Sequence, residues 1–254
     1  MKTLKQAALM VGLAWLFAGV ALAQEAQDDS NEILDPAAIR ALDRMAEALR
    51  GLEQFSVVSD ASLEVVLQTG QKITLDGEAT YRFKRPSQLF VELASDRTTR
   101  QLYFDDGSLT VYAPRLGYYA AAHTKAHTVK DMVVAAASEH GIEFPLTDLF
   151  FWNTDAFPKD SLLSALYVGP ATVAGERVDQ FAFRQTGGDW QIWLSQDTSL
   201  PRRIAIADHT DPSVPGYDAV LTWETQATQA AESFRFNPPE GARRIEITVM
   251  PDAK

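Results

Sequence analysis

The chain is 254 residues long, 46% hydrophobic and 22% charged, which fits a folded globular chain and excludes wholesale disorder, a collagen-like repeat and a multi-span membrane protein. Its net charge of −11, from 23 basic and 34 acidic residues, repels phosphate backbones and argues against a nucleic-acid partner. Cysteine is absent, which removes disulfides, thiolate metal sites, thiol nucleophiles and a lipid-bearing N-terminal cysteine.

Lys2 and Lys5 form a short basic region, and Ala7 to Val20 is uncharged and apolar. Ala21-Leu22-Ala23 then supplies a small-x-small cleavage pattern. Residues 1–23 therefore read as a secretory signal peptide cleaved after Ala23, which predicts a periplasmic protein. The apolar run is shorter than the roughly 20 residues of a membrane span, so no stable membrane anchor is expected. A cysteine-free chain suits an oxidising compartment. Residues 24–34 are polar and acidic and read as a flexible tail, leaving 35–254 as one domain.

Asp35-Pro36 predicts a helix start, with Asp as N-cap and Pro in the first turn. Ile39, Leu42, Met45, Ala46, Leu49 and Leu52 make one apolar stripe, and Gly51 is a plausible stop. From Phe55 the period becomes two. Leu63, Val65 and Leu67 alternate with polar residues, and a turn follows at 68–71. Ile73, Leu75, Gly77, Ala79, Tyr81 and Phe83 alternate with Lys72, Thr74, Asp76, Glu78, Thr80 and Arg82, giving one dry and one wet face. Arg85-Pro86-Ser87 breaks this strand. Strands are then expected at Leu89–Leu93, Leu102–Phe104, Leu109–Ala113 and Tyr118–Ala122, with Asp105-Asp106-Gly107 as a hairpin turn. These form an antiparallel meander.

Thr128 with Asp131 resembles a capping box and starts a helix ended by Gly141. Pro145 to Trp152 is a second, very apolar helical stretch. Strands return at 166–168, 178–184, 190–195, 202–207, 219–225 and 233–236, and a last extended piece covers 245–249. The expected fold is α+β, mostly β: a curved antiparallel half-barrel of about eleven strands, with an N-terminal helix and central helices across its open side. Two readings of its apolar face stand. The aromatic side chains fill a solid core, or they line a greasy cavity that receives an acyl chain.

Several stretches carry a family resemblance. Arg82-Phe83-Lys84-Arg85-Pro86-Ser87-Gln88-Leu89 is similar to an "xFxRPxxL" step, and Tyr103 to Tyr112 to a "YxDGxxxxxY" hairpin. Pro145 to Phe150 resembles "PLxDLL", Trp193-Leu194 with Leu200-Pro201-Arg202-Arg203 resembles "WLxxxxxLPRR", and Phe234 to Ala242 resembles "FxFxPPxGA". In this succession the chain resembles a family of predicted periplasmic proteins placed in the lipoprotein-carrier superfamily of LolA and LolB. That resemblance implies a half-barrel with a hydrophobic cavity and a ligand that is a hydrophobic small molecule, a lipid or a lipoprotein. An envelope protein is the alternative partner. LolB-like receptors carry a lipidated cysteine, and this chain departs from them in having none.

The expected cavity lining is Leu75, Tyr81, Phe83, Leu89, Val91, Val111, Ile192 and Leu194, with Phe150, Phe151 and Trp152 as core packing or as a lid. No catalytic site is expected: no GxSxG elbow, SxxK motif or phosphate-cradling glycine loop appears. His123 and His127 are four apart, but no HExxH pattern accompanies them, so no metal and no cofactor is expected. Asp208, His209, Asp211 and Asp218 read as a solvated acidic loop. Arg202-Arg203 is too small for a polyanion site.

Overall fold

The computed structural model describes residues 33–140, 146–152 and 161–246; of residues 137–140, 147 and 148 it describes the backbone alone. The expected signal peptide, most of the tail, the Gly141 helix stop and the end of the last extended piece lie outside the described residues. In chain order come α1 (Pro36–Gly51), β1 (Gln54–Val66), β2 (Lys72–Lys84), β3 (Gln88–Ser95), β4 (Thr99–Asp105), β5 (Ser108–Ala113) and β6 (Tyr118–His123). Then follow α2 (Val129–His140), α3 (Thr147–Phe150), β7 (Leu162–Val173), β8 (Glu176–Gln185), β9 (Gly188–Ser195), β10 (Pro201–Asp208), β11 (Gly216–Glu224) and the short β12 (Arg243–Ile245). Among the described residues, no helix is long and apolar enough to cross a membrane.

All twelve strands form one open curved sheet, ordered β12-β6-β5-β4-β3-β2-β1-β11-β10-β9-β8-β7. Each of the two meanders is a run of neighbours joined by short turns. At the β4–β5 hairpin, Asp106 and Gly107 both have positive φ (42° and 85°), as a tight two-residue turn demands. A Cβ on Gly107 would also lie 3.1 Å from the Thr124 carbonyl oxygen. The meanders are joined by antiparallel pairing of β1 with β11, with Ser59 opposite Leu221 and Ala61 opposite Ala219.

Helix α1 bridges the two meanders across the concave face. At its start, Asp35 Oδ1 accepts from the Ala37 amide at 2.7 Å, while Asp35 Oδ2 accepts from the Tyr167 amide on β7 at 3.3 Å. At its end, the Arg85 guanidinium donates to the Leu49 and Leu52 carbonyls at 3.2 and 3.0 Å. A cation on the last carbonyls also complements the helix dipole. Between these anchors Ala38, Ala41, Leu42, Met45, Ala46 and Leu49 are buried against the sheet. Ile33 and Leu34, the last residues of the expected tail, run parallel to β7: the Ala165 amide donates to the Ile33 carbonyl at 2.8 Å. The α2 cap is as read from the sequence, with Thr128 Oγ1 accepting from the Asp131 amide at 3.1 Å.

Two expectations are corrected. The strand expected at 233–236 is a 3-10 turn, Ala231–Phe234. This segment crosses the convex face of β3 and β4 instead of reaching a sheet edge, so it has no strand to pair with. Phe236 packs there at a tilt against Tyr103, Tyr112 and Tyr119, with centroids 5.4, 5.0 and 5.0 Å away. The strand expected at 166–168 is far longer, Leu162–Val173, with register shifts at two points. Its pattern was obscured because an edge strand with bulges does not keep a strict alternation.

Candidate functional site

The concave face carries one large buried cluster. Alternation in the strands aims the side chains there: in β2, Ala79, Tyr81 and Phe83 are buried while Lys72, Thr74, Asp76 and Glu78 are exposed. Tyr81, Phe83, Leu89, Val91, Phe150, Phe151, Trp152, Ile192 and Leu194 all belong to the cluster, and Val111 packs against it half-buried. Leu75 is half-buried and lies outside it, toward the far end of β2.

Phe150 occupies the centre. Its ring lies 5.7 Å from Phe55, 5.7 Å from Phe83, 6.0 Å from Tyr81 and 6.2 Å from Trp223. Phe55 and Phe83 stack on each other at 5.1 Å. Trp152 rests edge-on against Trp190 at 5.8 Å, and Trp190 stacks on Phe183 at 4.2 Å. The segment 146–152 is thus an aromatic plug between sheet and helices. Offset and edge-to-face contacts of this kind contribute about 0.5–1.5 kcal/mol per pair beyond area burial.

Within this apolar face lie polar atoms that the sequence did not single out. Ser59 is fully buried. Trp152 Nε1 is buried without a hydrogen-bond partner among the described residues, and the buried Ser59 and Tyr217 hydroxyls meet each other. Burial raises the Tyr217 hydroxyl above its ordinary pKa; a hydrogen bond with the Ser59 hydroxyl offsets part of that rise, and the Asp218 charge adds to it. Burial, then Tyr217, pushes Tyr81 well up. Burial, then Arg50, lowers Arg85, whose guanidinium lies 5.2 Å from the Phe83 ring centroid. A serine in the run Phe55-Ser56-Val57-Val58-Ser59, on the dry phase of the alternation, was the available signal.

The convex face differs. A groove of about 460 Å³ runs between β2–β4 and the C-terminal segment, lined by polar residues such as Arg82, Glu92, Gln101 and Arg235. Arg235 bonds Asp105 at 2.6 Å. Burial pushes the Asp105 carboxyl up, but the bonds from Arg235 and Gln88 outweigh it and hold it below its usual value.

The remaining candidates resolve into structural roles. His123 ends β6, and His127 Nδ1 lies 2.9 Å from Asp106. Asp208 accepts from the Thr210 amide and Asp211 from the Ser213 amide, while Asp218 pairs with Arg203 and Arg202 with Glu176. Among the described residues, no three His, Asp or Glu side chains gather as metal ligands.

Comparison with known proteins gives one family. A family model described as "Predicted periplasmic protein (DUF2092)" matches residues 38–248. No curated protein matches the chain. Solved structures are similar at low identity. An uncharacterised conserved protein from Thermus thermophilus is 10% identical with TM-score 0.47, covering 83% of this chain and 99% of that one. LprF from Mycobacterium bovis is 12% identical with TM-score 0.43, covering 82% and 99%. The MucA/MucB complex of Pseudomonas aeruginosa gives 16% identity and TM-score 0.43, covering 79% of this chain and 61% of that chain.

Proposed function

The chain belongs to the DUF2092 family of predicted periplasmic proteins, and from that premise we propose that it is a non-catalytic periplasmic carrier or binding protein for a hydrophobic ligand: a lipid, an acyl chain or a lipoprotein. One observation carries this reading. The concave face, with Phe55, Tyr81 and Phe83, is capped at its centre by Phe150 from a four-residue helix. A helix of one turn has almost no stability of its own. Ring packing against the sheet therefore holds it in place. An apolar chain offers those same rings an equivalent surface, so plug and ligand can exchange one set of ring contacts for another.

The magnitudes suit a carrier. One acyl chain of about 14 methylenes, at about 0.8 kcal/mol each, gives an upper limit near 11 kcal/mol. Ordering costs take several kcal/mol of that, which leaves affinities around micromolar. Native mass spectrometry of the purified protein is expected to show copurified lipid. Delipidated protein is expected to bind the neutral probe 1-N-phenylnaphthylamine, and the Phe151→Ser/Trp152→Ser variant to bind it more weakly with an unchanged far-ultraviolet circular dichroism spectrum. Absence of copurified lipid together with no probe binding at tens of micromolar rejects the carrier reading. Export is expected to leave Gln24 as the first residue in the periplasmic fraction; Met1 retained in membranes rejects that part.

A second reading, a regulatory or docking module of the envelope, is favoured by the edge strand β7, which exposes Leu163, Leu166, Tyr167 and Val168. Such a row on an edge strand, whose outer side pairs with Ile33 and Leu34 at Ala165, is a surface for another chain. Val168→Lys leaves probe binding intact on both readings and disrupts association with an envelope protein only on this one.

A further inference from the structure

Basic charge gathers at one corner of this acidic chain. The β3–β4 turn, the β5–β6 turn and the edge strand β12 form the corner, where the Arg243 amide donates to the Gly117 carbonyl at 2.8 Å. The Arg115 guanidinium ties the two turns together by donating to the Asp96 carbonyl and, at 2.9 Å, to the Ser95 carbonyl. Around it Arg97, Arg100, Arg243 and Arg244 are all exposed. Among the described residues none of these five arginines has a carboxylate partner, whereas Arg184, Arg202, Arg203 and Arg235 elsewhere on the sheet each have one. The carboxylates on these turns, on β12 and beside it are Asp96, Glu240 and Glu246, so the corner is positive in a chain of net charge −11. Large apolar side chains stand among the cations. Leu116 in the β5–β6 turn is 62% exposed, and Tyr118 and Ile245 beside it are 38% and 49% exposed.

Cations interleaved with apolar tips match the chemistry of a lipid–water interface. Arginine pairs with lipid phosphates, leucine enters the acyl boundary and tyrosine sits at headgroup level. A protein partner fits less well, because three apolar side chains dispersed among five charges do not make the charge-depleted core of a protein–protein interface. The negative charge of the rest of the chain does not prevent approach. Exposed charges farther away than a Debye length, about 8 Å at physiological salt, are largely screened, while the corner is in contact. The corner also borders a half-open stretch of the concave face: Arg100 lies opposite Leu93 in the β3–β4 pair, and Leu93 and Val111 are only half-buried. We propose that this corner docks the protein reversibly on an anionic phospholipid bilayer, with its arginines on lipid phosphates and Leu116 in the acyl boundary. The docking surface does not depend on what the concave face carries, and it brings the half-open stretch of that face beside the membrane.

The test is flotation of the purified mature protein with vesicles of phosphatidylcholine, or of phosphatidylcholine mixed equally with phosphatidylglycerol. Wild type is expected to float with the mixed vesicles only, and to be released at about 1 M salt, where the Debye length falls to about 3 Å. Arg97→Gln/Arg243→Gln is expected to weaken that binding about thirtyfold, the scale of two arginines at a charged surface. Arg177→Gln/Arg184→Gln removes the same charge from β8, on the far side of the sheet, and is expected to float as wild type does. Leu116→Ser is expected to weaken binding about fivefold and to leave its salt dependence unchanged. Arg97, Arg243 and Leu116 are exposed, so these variants should keep the wild-type circular dichroism spectrum and the wild-type uptake of 1-N-phenylnaphthylamine. Should the double variant fail to fold, either single change carries the same comparison. Equal flotation with both kinds of vesicle, or equal weakening by both arginine pairs, overturns the inference; probe uptake then leaves the carrier reading standing. Self-association that Arg97→Gln/Arg243→Gln abolishes, without flotation, gives the corner to a second copy and likewise overturns it. Selective flotation of a protein that carries no lipid and takes up no probe supports the docking surface and rejects the carrier reading alone.

Discussion

The two faces of this sheet come from the same strands and end in opposite environments. The concave face gathers Phe55, Tyr81, Phe83, Phe104, Phe181 and Ile192 under helices, with few polar atoms, among them the buried Ser59 and Tyr217 oxygens. The convex face keeps its polar atoms in pairs: Lys72 with Glu64, Arg184 with Asp189, Arg202 with Glu176 and Arg203 with Asp218. Most of these are partly exposed, and such pairs contribute only about 0–1 kcal/mol each. The convex face is also uneven. Over β3–β5 the C-terminal segment covers it, so Leu89, Phe90 and Val91 are buried in succession, and Thr110 and Tyr112 are buried beside them. Alternation thus reports burial where one face is covered, and it disappears where both are.

The sharpest way to break this comparison is to truncate neighbours on opposite faces. Phe55→Ala on the concave side is expected to cost about 3–5 kcal/mol, and Ser56→Ala on the convex side under about 0.5 kcal/mol. Denaturant midpoints check this, and similar losses for both would contradict the two-face description. Next in size is Phe236→Ala, which removes the ring seated on three tyrosines of the convex face. A loss of about 1–3 kcal/mol is expected, since the site is only half-buried. Hydrogen exchange should quicken around Phe90 and Tyr112 while apolar probe binding is unchanged. Leu75→Lys sharpens the comparison within the concave face. Because Leu75 lies outside the buried cluster, its lysine stem can reach water, and a cost near 1 kcal/mol or less is expected. A loss of several kcal/mol in urea unfolding would extend the dry face to the end of β2.

The smallest effect belongs to the Asp105–Arg235 clamp. The Asp105 carboxyl is held below its ordinary value, so its contribution is present above the unfolded carboxylate pKa, about 3.9, and is lost as pH falls through the lower folded value. Arg235 is largely exposed, which limits the contribution to under about 1 kcal/mol. Wild type should lose this increment of stability below about pH 4, and Asp105→Asn should lack that step. An identical acid profile in both proteins would remove the clamp as a cause.

Much of this architecture was legible from local signals. Asp35-Pro36, Thr128 with Asp131, and Asp106-Gly107 each satisfy backbone groups within a few residues, so their caps and turn followed from sequence alone. The period of two in β2 likewise placed Tyr81 and Phe83 on the dry face, and the short turns ordered each meander. What the tertiary structure decided was everything that joins distant segments: β1 against β11, β12 parallel to β6, α1 tied to both β7 and Arg85, and the C-terminal segment laid over the convex face. Convex-face aromatics at Phe90, Tyr103 and Tyr112 were a readable sign of that second layer. The meeting of the Ser59 and Tyr217 hydroxyls had no such sign, because it depends on which strands become neighbours. Capping and alternation act over a few residues and leave a pattern in the chain. Pairing between remote strands is chosen by which arrangement buries the most apolar surface, and that sum belongs to the whole fold and to no stretch of sequence.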